Sequence, residues 1–374
     1  MRPINCWARG EAMKNHLLVS LKALLAQPRM QKREWLALAL CVLAFAGLAL
    51  VPWVASPYAS VALRDALVLA IFALSYDLLW GKAMMLTLGH AVFFGVGAYG
   101  VAIATTQLQW SWIEGMLLGV GSSAALAALL GCFLLYAGVR LHFFAIITMA
   151  VLVIARQVAT SWQSVTGGDV GILGVPGLRL DVAGWQLDLS SDRASYLAVL
   201  CALALSLLFV WGLVRTRYGL VLAAIGMNEF RAKHCGFDTS RHLVVVSTLS
   251  AALAGFAGCL YAASAGVVAP DLFSVLLSTE VILWVAVGGR GSLLGAVVAA
   301  VFFTRLQQEV STYSTELWPL ILGALFLVCV LFMPRGIPGL LRRRGPGHAS
   351  SAAPAKQSRP GRPAGVSTNA GSRT

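Results

Sequence analysis

Seven stretches of mostly apolar residues dominate this chain, near 36–55, 61–80, 115–137, 143–161, 195–214, 243–265 and 318–333. Each is close to the length of about 20 residues that a helix needs to cross a bilayer. A chain carrying so many cannot fold around one water-facing surface. Only 11% of its 374 residues are charged and 59% are hydrophobic, whereas a soluble domain carries about 25% charged residues. Lipid must serve as part of its solvent, and the fold class is an all-α polytopic membrane protein.

Two further regions are apolar but irregular. Residues 84–105 are rich in glycine, and 275–308 are interrupted by Gly288–Ser292, "GGRGS". Short or glycine-broken apolar segments suggest re-entrant or discontinuous helices. If both regions cross, with 275–308 as two pieces, ten crossings result and both termini lie on the cytoplasmic side. Eight or nine crossings with re-entrant loops remain open.

The net charge of +13 fits this arrangement. Basic residues gather before Leu36 (Lys14, Lys22, Arg29, Lys32, Arg33), in 215–242 (Arg215, Arg217, Arg231, Lys233, Arg241) and at the end (Arg335, Arg342, Arg343, Arg344). Segment 106–114 has none, and 162–194 has two against four aspartates. Lys and Arg favour cytoplasmic connections, so the charge is topological and gives no reason to expect nucleic acid. Three regions follow: a basic cytoplasmic segment over 1–35, a transmembrane domain over 36–341, and a Pro/Ala/Gly/Ser-rich tail over 345–374 expected to be disordered. The first apolar run is long enough to be an uncleaved span, and Met13 or Met30 could equally be the start.

Within "GHAVFFGVGAYG", Gly95, Gly97 and Gly100 spell the dinucleotide-binding string G-x-G-x-x-G. That fingerprint requires a preceding strand and an acidic residue about 20 positions on. Here apolar sequence flanks it on both sides and the next acid is Glu114. Membrane helices instead use small residues to bring backbones close. Gly97, Gly100 and Ala104 share a helix face; Gly115, Gly119, Ser123, Ala127 and Gly131 recur every fourth position; Ala251 with Gly255 and Gly258 with Ala262 repeat the spacing. Gly89, Gly95, Gly288 and Gly289 join these as packing or pathway candidates.

No phosphate-binding loop, zinc-protease or serine-hydrolase motif occurs, and the seven cysteines (Cys6, Cys41, Cys132, Cys201, Cys235, Cys259, Cys329) show no metal spacing. No cofactor, metal or enzymatic activity is expected. Charges within spans are costly and are usually functional or paired. Asp77 is expected to pair with Lys82; Arg156 either snorkels or lines a pathway; Glu280 is expected near the outer interface and Arg290 at an inner turn. The piece "RYGLVLAAIGMNEFRAKHCGFD", Arg217 to Asp238, is too polar to span and too helix-prone for a linker. It reads as a surface helix for a cytoplasmic partner, or as an interfacial helix on anionic lipid.

"LTLGHAVFFGVGAYG", "FFAIITMAVLVIARQV", the 217–238 segment, "SAALAGFAGCLYA" and "VAVGGRGSLLGA" follow one another in an order that resembles the permease subunits of branched-chain amino-acid ABC importers. The likeness is to the M-type subunit, whose close relatives import urea and short amides, and it runs from about Leu63 to Leu341. It implies a translocation subunit of the bacterial inner membrane that binds no ATP itself. Its partners would be a homologous second permease, two cytoplasmic ATP-binding subunits and a periplasmic substrate-binding protein, besides membrane lipid.

By the resemblance, Tyr218, Gly219, Ala223, Ala224, Ile225, Asn228, Glu229, Ala232 and Gly236 belong to the helix that couples to the ATPase. Gly226 and Met227 depart from the family pattern, which usually has an Arg followed by an acidic or polar residue. "YDLLWG" and "VGGRGS" lean towards urea-type relatives and "GDVGILGVPG" towards amino-acid members. A branched-chain amino acid is the expected cargo, with urea or a short amide as the alternative. A secondary carrier or channel is the alternative from another class. On this reading, reconstituted transporter carrying Glu229→Arg should hydrolyse ATP without matching uptake while the subunit stays in the membrane; normal import by that variant would remove Glu229 from the coupling helix.

Overall fold

The computed structural model describes residues 32–54, 56–139, 141–182, 185–313 and 318–324. Helices dominate: α1 (Lys32–Val54), α2 (Pro57–Tyr76), α3 (Ala91–Thr106), α4 (Trp112–Tyr136), α5 (Leu141–Ser161), the single turn α6 (Gln163–Thr166), α7 (Asp192–Arg215), α8 (Arg217–Met227), α9 (Glu229–His234), α10 (Thr239–Ala265), α11 (Val275–Gly288) and α12 (Leu293–Tyr313). Among the described residues, six helices are long and apolar enough to cross a membrane. Outward positions on α4, α5 and α7 carry Leu117, Leu129, Phe133, Ile146, Val153, Leu205 and Leu208, all exposed. Exposed apolar side chains along three helices make sense against hydrocarbon rather than water.

The starts of several helices are set by local chemistry. Ser56 accepts the Ala59 N–H ahead of Pro57 at the first turn of α2. Ser111 and Glu114 form a reciprocal capping box on α4. Ser191 caps α7 and Asp238 caps α10. The expected span over 84–105 forms differently. α2 runs into a six-residue π-helical turn, Asp77–Lys82, and regular helix resumes only at Ala91.

Residues 83–90 are mostly buried yet not helical. Such backbone is tolerated at membrane depth only when protein satisfies it. Here Met85 N–H donates to Leu79 O at 3.3 Å, Leu88 N–H to Thr148 Oγ1 at 3.3 Å, and Tyr76 Oη–H to Thr87 O at 2.9 Å. Ala91 N–H, at the start of α3, reaches Ser278 Oγ at 3.3 Å. α3 itself has 16 residues, about 24 Å at 1.5 Å per residue, short of a full hydrocarbon core. The 275–308 region divides at its glycines into α11, of 14 residues, and α12, of 21.

α2 and α10 are the inner helices. α10 packs on α4, α3 and α2, and α2 packs in turn on α12, α7 and α11. Glycines face glycines where these helices cross. A Cβ on Gly97 would stand 2.2 Å from Gly255 O, one on Gly100 2.6 Å from Gly119 Cα, and one on Gly258 2.0 Å from Phe94 O. Gly115, Gly119, Ser123, Ala127 and Gly131 form one buried stripe along α4. Polar groups bridge the gaps: Ser123 Oγ–H donates to Phe93 O at 2.8 Å, Ser250 Oγ–H to Ser75 O at 2.6 Å, and Cys259 Sγ–H to Gly97 O at 3.3 Å.

At the end opposite α8 and α9, small extended elements close the bundle. β1 (Ile172–Leu173) pairs antiparallel with β4 (Val267–Val268), Ile172 opposite Val268. β2 (Arg179–Val182) and β3 (Trp185–Asp188) form a hairpin, Val182 opposite Trp185.

Glycines of one composition thus divide into two kinds. Gly97 meets backbone that cannot move aside, whereas nothing lies within 4 Å of a Cβ on Gly121. Gly97→Ala should cost about 1–3 kcal/mol by overpacking, read as a lowered unfolding temperature in detergent. Gly121→Ala should be neutral or stabilising by about 0.5–1 kcal/mol, because alanine orders less freely moving backbone than glycine.

Candidate functional site

The end of the bundle that carries α8 and α9 gathers most of the residues singled out in the sequence. α7 turns sharply into α8 at Thr216, and Gly219 permits it: a Cβ there would lie 2.2 Å from Val214 O. Tyr218 fastens the new helix to α10. Its Oη–H donates to His242 O at 2.7 Å and its ring stacks on the His242 ring at 5.5 Å. Burial pushes the Tyr218 phenol above its ordinary range, so it remains a donor. Gly219, Leu222 and Ile225 form the buried face of α8.

Asn228 then breaks the helix. Its backbone is extended (φ −163°, ψ 100°) and its side chain caps α9, accepting Arg231 N–H at 2.9 Å. Glu229 occupies the first turn of α9, and Arg231, Lys233 and His234 the last, the order that a helix dipole favours. Glu229 Oε1 also accepts from Thr239 Oγ1 at 3.4 Å. Ala232 is buried, and Gly236 takes φ +87° to turn the chain towards α10.

The face turned away from the protein carries Ala223, Ala224, Asn228, Glu229 and Gly236. Three larger apolar residues join them: Leu220 (69% exposed), Met227 (88%) and Phe230 (73%). Sequence reasoning passed these by, because the break at Asn228 interrupts the helical period that would have grouped them.

Directly beneath α8 lies the π turn. A Cβ on Gly226 would stand 2.9 Å from Lys82 O and 3.1 Å from Met84 Cγ. Asp77 and Lys82 do not form the direct ion pair expected of them. Both reach Gly291 in the α11–α12 turn instead: Gly291 N–H donates to Asp77 Oδ1 at 2.7 Å, and Lys82 Nζ donates to Gly291 O at 2.8 Å. The five-residue spacing suggested neighbours; the common partner lies far along the chain and left no local signal. Arg290 sits at this turn, its guanidinium 3.8 Å from the centre of the Trp80 ring.

The remaining candidates lie elsewhere. Arg156 is at the opposite end, exposed and 3.3 Å from Asp271. Glu280 is buried within the protein, and its Oε1 accepts from Trp318 Nε1 at 2.7 Å and Gln307 Nε2 at 3.1 Å. It ties α11 to α12 and to the helical segment 318–324. Gly89 lies against Thr148 O, and Gly95 against the Phe273 ring. Gly288 packs backbone to backbone on Gly295, and Gly289 ends α11 at φ +89°. Outside this contact, Gly288, Gly295, Val298 and Phe302 help line an apolar groove of about 370 Å³.

Comparison with known proteins identifies the family. Residues 58–330 match the family described as the permease component of branched-chain amino acid transport systems. The high-affinity branched-chain amino acid transport system permease protein LivM of Salmonella typhimurium is 30% identical over 291 residues, 73% of this chain and 68% of that one. LivM of Escherichia coli is 29% identical over 293 residues, with the same coverage. The autoinducer 2 import system permease protein LsrC of Klebsiella pneumoniae is 32% identical over 121 residues, 31% of this chain and 35% of its own. No solved structure matches. The family match takes in every helix from α2 to α12, and with it both the glycine-packed bundle and the α8–α9 segment, so the chain belongs to the branched-chain amino acid transport permease family.

Proposed function

We propose that this chain is one membrane-spanning subunit of an ATP-driven importer of branched-chain amino acids. It works beside a homologous permease, receives cargo from a periplasmic binding protein, and draws its energy from two ATP-binding subunits that grip α8 and α9. The multi-pass fold belongs in the bacterial inner membrane. The bias of Lys and Arg towards 215–242 and the two ends of the chain supports α8, α9 and both termini on the cytoplasmic side.

One observation carries the reading. Leu220, Met227 and Phe230 stand exposed at a break between two short helices. On the water side of a membrane, apolar side chains grouped around a helix end favour a protein cleft. Arg231 and Lys233 flank them and suit an acidic rim. The relatives named for high-affinity branched-chain amino acid transport support the cargo. A permease supplies a path and differential contacts between states, while hydrolysis elsewhere supplies the drive.

The complex is best tested whole, purified through a tag on this chain and reconstituted into vesicles. Leucine uptake should require ATP inside the nucleotide-accessible face and should be competed by isoleucine and valine. Met227→Asp should lower the co-purified ATP-binding subunit about 30-fold, the cost of losing a hot-spot contact, with uptake falling in step. An unchanged yield of that subunit in Met227→Asp would remove the docking role; uptake that continues without any ATP-binding subunit would make the chain a carrier of another class.

A further inference from the structure

The π turn Asp77–Lys82 touches two elements. On one side it carries α8: Gly226 rests on the Lys82 carbonyl with no room for a side chain. On the other it holds the α11–α12 turn by both backbone polar groups of one residue: Gly291 N–H donates to Asp77 and Gly291 O accepts from Lys82. Gly81 closes the remaining space, since a Cβ there would lie 2.4 Å from Gly291 N. Trp80, from the same turn, lies under the Arg290 guanidinium. Four of six consecutive residues therefore address one short turn.

In the turn they hold, Gly289 and Gly291 adopt φ +89° and +75°, and Ser292 N–H donates to Gly289 O at 2.9 Å. The π turn itself is a register that helices adopt rarely and often at functional positions. Asp77 is fully buried, yet its Oδ2 has no hydrogen-bond partner. A buried acceptor left unmatched is costly, and the Lys82 ammonium, a donor from the same turn, is bonded to Gly291 O instead.

We propose that Asp77 and Lys82 are positioning residues for transport: the bracket they form on Gly291 carries movement of the α8–α9 segment to the α11–α12 hairpin. Displacement of α8 presses on Lys82 through Gly226. Lys82 either drags the Gly291 turn or lets it go. The hairpin, welded at Gly288 and Gly295, follows as a unit. This rests on the docking reading of α8 and α9, and it adds the route by which docking reaches the membrane.

Hydrogen–deuterium exchange on the complete transporter separates the two ideas. In the parent, a non-hydrolysable ATP analogue should change exchange both in peptides covering 217–236 and in those covering the 288–293 turn. In Asp77→Ala the first response should persist and the second should be lost. Asp77→Asn keeps an acceptor at the bonded position and should retain both responses, which a defect of general packing would not reproduce. If Asp77→Ala does not assemble, Lys82→Gln, a change at a half-buried side chain, should likewise lose the turn's response alone. A 288–293 turn that still answers to nucleotide in these variants, or that never answers in the parent, overturns the proposal while leaving the docking reading intact. Peptides 217–236 indifferent to nucleotide in the parent would overturn the docking reading and this one with it.

Discussion

A peptide group taken out of water must find its hydrogen bond within the protein, and in hydrocarbon no exception is available. The helices satisfy that demand within themselves. Where helix stops inside the bundle, a named side chain steps in: Thr148 for Leu88, Tyr76 for Thr87, Ser278 for Ala91, Asp77 and Lys82 for Gly291. The irregular stretch at 83–90 and the turn at 289–292 exist only because neighbouring helices come close enough to serve them. Glycine makes that closeness possible, because Gly97 on Gly255 and Gly258 on Phe94 let backbones meet without side chains between them.

Much of this was legible before any coordinates. Apolar length located most of the spans, and the four-residue recurrence on α4 identified its buried stripe, because close packing leaves a period in the sequence. "GGRGS" marked a break, since glycines at positive φ are what a tight turn between helices requires. The nature of the break after Tyr76 was hidden. "DLLWGKAMMLTLG" is as apolar as a helix, and its departure into π and then irregular backbone is decided by partners on α5, α10 and α11 that no local window contains.

The polar residues were read least well, for the same reason. Asp77 and Lys82 looked like a local pair but converge on Gly291. Glu280 bonds to Gln307 and Trp318, 27 and 38 residues along the chain. Arg156 pairs with Asp271, 115 residues away. A charge within an apolar run announces that it has a partner; its identity depends on how distant helices meet. The 217–236 segment shows the complementary case. Several of the positions that the resemblance supplies, among them Gly219, Ile225 and Ala232, face inward and shape the segment, while Leu220, Met227 and Phe230 stand exposed on it.

The contact between Gly288 and Gly295 fixes how the hairpin opens. Bare backbone abuts bare backbone beside the turn, so α11 and α12 leave it at about the closest spacing two helices can adopt, like the hinge end of a pair of tongs. A methyl group at either glycine would prise that end apart and so alter the spread between Ser274, which starts one arm, and Tyr313, which ends the other.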